Sequence, residues 1–127
     1  ETQGTPLPQW LLDCDKVVIS TKAPSSKQPD VYDNVKTFLE RIDSDTNVCI
    51  KIPVFDEEDF KFAERYYNLV DEYRSVGNDN VTESGDISNR ILNNYHKLID
   101  RVMNSDMKRV FILPQVHTLV WGNKQGV

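Results

Sequence analysis

Polar side chains follow apolar, strand-like segments of this chain, and they are its best candidates for chemistry. Gln115 and His117 come just after the apolar run 110–113. Ser20 closes an earlier apolar run, and Lys22 follows it two positions later. Hydroxyl, amide, imidazole and ammonium groups donate hydrogen bonds, and two of the four types can carry positive charge. Together they suit an anionic ligand such as a carboxylate or a phosphate.

Each candidate also has a plain structural explanation. Loops at strand ends are polar in most proteins, and His117 is equally well interpreted as a hydrogen-bonded core or rim residue. Thr2 and Thr5 lie in what looks like the end of a further strand. Lys51 stands inside the apolar run 48–55, where a lysine is costly to bury unless it is paired or faces a cavity.

Several common catalytic patterns are absent from the sequence. It contains no nucleophile paired with a base, no glycine-rich phosphate loop, and no cysteine or histidine cluster at metal-ligand spacing. The carboxylates at 56–59 are better explained as the cap and first turn of a helix. We therefore predict no catalytic residue and no metal ligand within this chain.

The surrounding elements alternate between strands and helices, which predicts an α/β fold: a parallel sheet with right-handed crossover helices. The uniform apolar runs are typical of strands buried on both faces. A polar, Asn- and Gly-rich stretch at 75–85 is predicted to be an exposed loop. Three complete strands would make half a barrel or one side of an open sheet. We expect strands at 16–20, 48–55 and 110–113, and helices starting near Asp30, Asp56 and Asp86 or Ser88, the second with an inner stripe of Phe60, Ala63, Tyr67, Val70 and Tyr73.

The composition of the chain limits the kinds of partner and the cellular compartment that we expect for it. The 127 residues carry a net charge of −5, which argues against a nucleic-acid partner. No apolar run reaches the roughly 20 residues needed to cross a bilayer, so we expect no membrane partner. Cys14 and Cys49 lie in apolar contexts and predict buried free thiols of a cytoplasmic protein, with a disulfide as the weaker alternative. The chain opens at Glu1 without methionine, and we expect it to be a fragment of a longer protein.

Three segments together resemble a known family. Glu-Thr-Gln-Gly-Thr at 1–5 resembles the [Asp/Glu]-Thr-Asn-Gly signature of activase-type radical S-adenosylmethionine (SAM) enzymes. Val-Val-Ile-Ser-Thr-Lys-Ala-Pro-Ser-Ser at 17–26 and Leu-Pro-Gln-Val-His at 113–117 resemble a strand with its loop and the last strand of the 7-carboxy-7-deazaguanine synthase family. The ending Trp-Gly-Asn-Lys-Gln-Gly-Val also resembles the terminus of one subgroup. The resemblance covers essentially the whole chain.

The resemblance implies a fold and an activity. Residues 1–127 would be a single C-terminal segment, the second half of a partial TIM-type (radical SAM) barrel whose N-terminal, cluster-binding half is missing. The parent enzyme would convert 6-carboxy-5,6,7,8-tetrahydropterin to 7-carboxy-7-deazaguanine in queuosine and deazapurine biosynthesis. Its substrate would be a pterin-type small molecule, and a homodimer is a candidate assembly. By position, the cofactor-binding residues would be Ser20, Lys22 and Thr2, and the substrate-binding residues Thr5, Gln115, His117 and the terminal Val127.

The chain departs from the family in one large respect. The three-cysteine motif that holds the [4Fe-4S] cluster is absent, and two cysteines 35 positions apart cannot replace it. The cluster and Mg would therefore belong to the parent enzyme, and the chain alone is expected to be inactive. Two other functions stay open: a radical SAM activase of another enzyme, and a cluster-less α/β interaction domain. An upstream reading frame encoding Cys-x-x-x-Cys-x-x-Cys would exclude the interaction domain.

Overall fold

Strands and helices alternate along the chain in the computed structural model, which describes residues 1–43, 46–69, 74–77 and 87–121, with the backbone alone at 74–77, 87–90, 117 and 118. The strands are β1 (Lys16–Ser20), β2 (Asn47–Pro53), β3 (Arg74–Gly77) and β4 (Val110–Ile112). The α-helices are α1 (Tyr32–Leu39), α2 (Glu57–Leu69), α3 (Ile87–Met103) and α4 (Val116–Trp121). Two short 3₁₀ helices cover Gln9–Asp13 and Pro24–Ser26.

The strands form one parallel sheet in the order β1-β2-β3-β4. This confirms the predicted α/β class and the parallel sheet. The prediction of three complete strands was wrong, because β3 lies partly within the stretch expected to be a loop. Its sequence, Arg-Ser-Val-Gly, contains no apolar run from which a strand would be predicted. It pairs through backbone hydrogen bonds with apolar strands on both sides, and such bonds place few demands on side chains.

Helices cover one face of this sheet. Burial alternates along β2 and along β1 as far as Ile19, so every second residue there faces the core; Ser20, the last residue of β1, is also buried. The prediction that both faces are buried was therefore wrong: a continuous apolar run cannot show whether a second layer is present in the same chain. No described element covers the other side of the sheet, which we call the open face. Core-facing residues are Val17, Ile19, Val48, Ile50 and Ile52, and open-face residues are Val18, Cys49 and Lys51, the lysine being exposed.

The last strand is an edge strand within the described chain. Its register pairs it with β3 alone. Phe111 is 61% exposed and Leu113 is 55% exposed, while Val110 and Ile112 are half-buried against the core. The expectation of a fully buried strand over 110–113 was thus wrong, since the apolar residues alternate between the core and the open side. The Tyr95 hydroxyl in α3 donates a 2.7 Å hydrogen bond to the Ile112 carbonyl and holds the strand against the helix.

The two central helices begin where the sequence predicts. The Asp30 carboxylate accepts a 3.0 Å hydrogen bond from the Tyr32 amide at the start of α1. Asp56 accepts a 2.9 Å bond from the Asp59 amide in α2, which confirms that this acidic run caps a helix. On the inner face of α2 the fully buried tyrosine is Tyr66, with Phe60 and Ala63, whereas the predicted Tyr67 is half-buried. The predicted stripe members Val70 and Tyr73 lie outside the described residues.

Candidate functional site

The carboxyl ends of β1 and β2 bring several predicted site residues to one edge of the sheet. Ser20 is the last residue of β1 and lies opposite Lys51 in the strand register. On the other side of β1, Thr2 forms a parallel bridge with Ile19. The Ser20 amide donates a 2.7 Å hydrogen bond to the Thr2 carbonyl, and the Thr2 amide donates a 2.9 Å bond to Val18. Thr2 and Ser20, both predicted cofactor contacts, are therefore immediate neighbours.

The turn after Thr2 fixes how this residue is presented. Gly4 has φ +89°, and a methyl group in place of its hydrogen would stand 2.9 Å from a Val31 side-chain carbon. The Gly4 amide donates a 3.3 Å hydrogen bond to the Thr2 hydroxyl, which occupies one acceptor site of that oxygen and leaves its own hydrogen available. Thr5 follows on an exposed turn. Its predicted contact with substrate stays a prediction.

Lys22 supplies the cation nearest to Ser20 along the chain. It is half-buried, and no carboxylate among the described residues forms an ion pair with it. Between the two, the Thr21 side chain is fully buried, and its hydroxyl has no hydrogen-bond partner in the part of the chain that is described. A buried hydroxyl left unpaired costs about 1 to 3 kcal/mol. The half-buried side chains of Thr2 and Lys22 can reach a carboxylate ligand at this strand end, whereas the Thr21 hydroxyl is closed off from solvent.

Lys51 does not face the core, as a residue within a predicted buried strand would. It is exposed on the open face, beside Ser20 in the register. The physical reason is that no second layer covers this face among the described residues: on a sheet covered on one side, alternate residues of an apolar strand can carry charge at little cost. Lys22 and Lys51 together give this edge two cations.

One important residue was missed by reasoning from the sequence. Asp59 in the first turn of α2 is fully buried, and its two carboxylate oxygens accept 3.0 Å hydrogen bonds from the amides of Ser25 and Phe55. Ser25 lies in the loop after β1, and Phe55 lies in the loop after β2. From the sequence, an acid in the first helical turn is interpreted as a capping residue. Only the burial of Asp59 and its contact with Ser25, 34 positions away, show that it also joins two loops.

The predicted residues near the C-terminal end are less completely described. Gln115 is half-buried and follows β4, and its carbonyl accepts a 3.2 Å hydrogen bond from the Leu119 amide in α4. His117 lies in α4, a short helix that the sequence did not predict, and its side chain is outside the description. Val127 lies outside the described residues. The predicted roles of these three in substrate binding stay predictions.

A second group of cations lies on the helix side of the same edge. Val54, Phe55, Asn94, Lys97, Leu98 and Arg101 line a cavity of about 80 Å³. Arg101 pairs there with Glu57 and lies 4.7 Å from the centroid of the Phe60 ring. Because Arg101 is already neutralised by Glu57, this cavity is a weaker anion site than the strand end at Ser20 and Lys22.

Metal-binding capacity is low in the described chain. Within residues 1–43, 46–69, 74–77 and 87–121 no three His, Cys, Asp or Glu side chains are grouped closely enough to hold a metal ion. Cys14 and Cys49 are free thiols, as predicted, though half-buried rather than buried. Cys14 packs against the helix-side core and Cys49 lies on the open face, so the two do not share a site. These residues do not fit an iron–sulfur cluster.

No helix among the described residues has both the length and the apolar composition that a membrane span requires.

Comparison with known proteins gives a consistent relationship over the whole chain. The 7-carboxy-7-deazaguanine synthase of Bacillus subtilis (strain 168) is 38% identical over 136 aligned positions, which cover 100% of this chain and 56% of that protein. The 7-carboxy-7-deazaguanine synthase of Bacillus cereus (strain ATCC 14579) is 35% identical over 133 positions, with the same coverage. The chain thus spans about half the length of the curated relatives it matches. No family model matches the sequence.

Proposed function

Because this chain is related over its whole length to the 7-carboxy-7-deazaguanine synthases, we propose that it is the C-terminal part of such an enzyme. The reaction would convert 6-carboxy-5,6,7,8-tetrahydropterin to 7-carboxy-7-deazaguanine with S-adenosylmethionine as cofactor. The observation that carries the proposal is identity of 38% without loss of coverage anywhere along the chain. The radical SAM class, the substrate and the cofactors are parts of this proposal.

The architecture supports a place for the chain within a larger α/β barrel. In such barrels parallel strands are covered by helices on the outside, while the inner strand face is closed off by the other strands of the barrel. Here a parallel sheet has helices on one face and an open face that carries Val18, Cys49 and Lys51. We infer that this sheet is an arc of a partial TIM-type barrel and that its open face is the inner surface.

Within this arc the carboxyl edge would bind the ligands, as it does in barrel enzymes. Ser20, Thr2 and Lys22 would hold S-adenosylmethionine, with the Lys22 ammonium on the carboxylate of its methionyl part. Thr5, Gln115, His117 and Val127 would contact the pterin. S-adenosylmethionine, when bound, would supply the radical chemistry of the reaction, and the residues of this chain would bind and orient the ligands.

The [4Fe-4S] cluster does not fit the residues of this chain, so no step through it is assigned to them. Its ligands would come from the remainder of the enzyme, and the chain alone would not turn over substrate. A homodimer of the whole enzyme is part of the proposal.

The test is a paired assay. The protein that includes this chain together with a three-cysteine segment, with its cluster reconstituted, should form 7-carboxy-7-deazaguanine from the carboxypterin and S-adenosylmethionine under reducing conditions, as followed by mass spectrometry. The 127-residue chain in the same mixture should form none. Cleavage of S-adenosylmethionine with no deazaguanine product would instead favour an activase, and no cleavage at all would remove the radical SAM assignment.

A further inference from the structure

A buried carboxylate joins two loops at the ligand-binding edge of the sheet. Asp59 is fully buried. One of its oxygens accepts a 3.0 Å hydrogen bond from the Ser25 amide, and the other accepts a 3.0 Å bond from the Phe55 amide. Since Ser25 follows β1 and Phe55 follows β2, a single side chain links the two consecutive βα loops of the edge.

This link is separate from the capping of α2. The cap is already provided by Asp56, which accepts the Asp59 amide at 2.9 Å. A capping acid has no need to contact a loop 34 positions earlier in the chain. The position in the first helical turn does stabilise a negative charge on Asp59, because the unpaired amides of a helix start carry partial positive charge. Helix α2 thus presents a two-sided acceptor to both loops.

The loop that Asp59 holds is the one that carries Lys22. It is a compact segment, in which the Ser26 amide bonds to the Ala23 carbonyl at 2.9 Å and the Lys27 amide bonds to Pro24 at 2.9 Å. These two bonds tie residues 23–27 together, so an attachment at Ser25 restrains its neighbours as well. Lys22 thus lies between two fixed points: Ser20, which belongs to the sheet, and Ser25, which is bonded to Asp59.

We propose that Asp59 is a positioning residue for the ligand site: it fixes the loop after β1 against the turn after β2, and thereby fixes Lys22 beside Ser20. Asp59 itself would not touch ligand. The restraint on the loop is a property of this chain, while its consequence for S-adenosylmethionine binding rests on the proposed function. Amide hydrogen exchange measures the restraint, and the affinity for S-adenosylmethionine measures its consequence.

The first measurement is amide hydrogen exchange in the chain. Asp59→Asn keeps the size of the side chain but replaces one acceptor oxygen by an NH₂ donor, so one loop amide loses its partner. We expect exchange at Ser25 or Phe55 to become about tenfold faster or more, with the strand amides of Ile19 and Ile50 unchanged. Glu58→Gln is the matched control, because Glu58 is exposed on the same helical turn and the change removes the same charge. Unchanged exchange in Asp59→Asn, or equal acceleration in both variants, would overturn the proposal.

Amide exchange in the unmodified chain tests the proposal even if the Asp59→Asn variant does not fold. The Ser25 amide should be protected well beyond that of Gln28, whose amide has a long 3.4 Å bond to the Ser26 hydroxyl in the same exposed loop. Equal protection of the two amides would mean that the carboxylate does not hold the loop, and the proposal would fall.

The second measurement is the dissociation constant of S-adenosylmethionine in the protein that includes this chain. Asp59→Asn should raise it about tenfold, and Glu58→Gln should leave it unchanged. Altered loop exchange with unaltered affinity would overturn the positioning role. If the unmodified protein does not bind S-adenosylmethionine, the proposed function fails by itself, while the exchange data still decide whether Asp59 restrains the loop.

Discussion

The Tyr66 hydroxyl donates a 3.0 Å hydrogen bond to the Asp30 carboxylate, 36 positions earlier in the chain. The second oxygen of Asp30 pairs with Arg65, whose guanidinium lies 4.2 Å from the centroid of the Tyr32 ring. Tyr66 is fully buried, and Asp30 is near the surface at the start of α1. The cluster therefore locks α1 to α2 through one buried phenol.

This phenol should give the protein a distinctive alkaline response. Burial, and secondarily the hydrogen bond to Asp30, raise the pKa of Tyr66 above its ordinary value. The unfolded phenol ionises near pH 10, whereas the folded one keeps its proton, so above about pH 10 the folded state binds more protons. The stabilisation is complete below that pH and is lost as the pH rises, by up to about 1.4 kcal/mol per pH unit.

Tyr66→Phe tests this response, because the variant has no proton to release at this position. At neutral pH it should lose about 1 kcal/mol of unfolding free energy with the hydrogen bond. Above about pH 10 its unfolding free energy in urea should fall less steeply than that of the unmodified chain. Parallel curves for the two proteins would show that the phenol ionises freely in the folded state.

Lys22→Ala should weaken S-adenosylmethionine binding in the protein that includes this chain. The loss of a charge-assisted bond to a carboxylate predicts a dissociation constant about tenfold higher or more. Lys16→Ala is the control, because Lys16 is an exposed lysine at the opposite end of the same strand. Isothermal titration would compare the two. An equal effect of both substitutions would point to general charge, and no effect would remove Lys22 from the site.

His117→Ala should separate the two activities of the proposed enzyme. If His117 contacts the pterin, the variant loses turnover of the carboxypterin by a larger factor than it loses cleavage of S-adenosylmethionine. Both products can be quantified by mass spectrometry from one reaction. Equal loss of the two activities would contradict a role specific to the substrate.

Gly4→Ala should destabilise the chain by about 1 to 3 kcal/mol, because the left-handed backbone strains any other residue. The added methyl group would also stand 2.9 Å from a Val31 carbon, closer than packed carbons approach. Chemical unfolding measures the change, and Gln3→Ala at the exposed neighbouring position is the control. A variant as stable as the control would mean that the Thr2–Gly4 turn adapts freely.

Tyr95→Phe should loosen the edge strand. Its hydroxyl bonds to the Ile112 carbonyl at 2.7 Å, and its removal should cost about 1 kcal/mol. Amide exchange in 110–112 should accelerate more than exchange in β1. Asn93→Ala, an exposed change on the same helix, should do neither. Uniform acceleration throughout the sheet would show that β4 opens only when the whole domain unfolds.

The order of the main elements could be predicted from the sequence because helical periodicity and apolar strand runs are local signals. Strand β3 was not predicted because only one of its four residues, Val76, has an apolar side chain and because the strand is stabilised by neighbours on both sides. The open face was not predicted for a different reason. The apolar residues of β1 and β2 show that these strands can be buried on both faces, but other segments determine whether each face is covered.

The candidate site was predictable only in part. Ser20 and Lys22 could be named as candidates because both stand at the end of an apolar run, and their roles stay predictions. Asp59 could not, since its partners Ser25 and Phe55 contribute backbone amides, which have no residue-type signature. The proximity of Thr2 to Ser20 could not be predicted either, because it depends on a backbone bridge between Thr2 and Ile19 that has no side-chain signature.

The alternation of burial along β1 and β2 also bears on how such a protein can change during evolution. Substitutions at Ile19 and Ile50, both fully buried, alter the packing on which folding depends. Substitutions at Val18 and Cys49 alter the half-buried open face, which would be the inner surface of the proposed barrel. Neighbouring positions of one strand are therefore open to selection for different properties, and a saturation mutagenesis scan of the chain should show tolerance that rises and falls with a period of two residues along Asn47–Pro53.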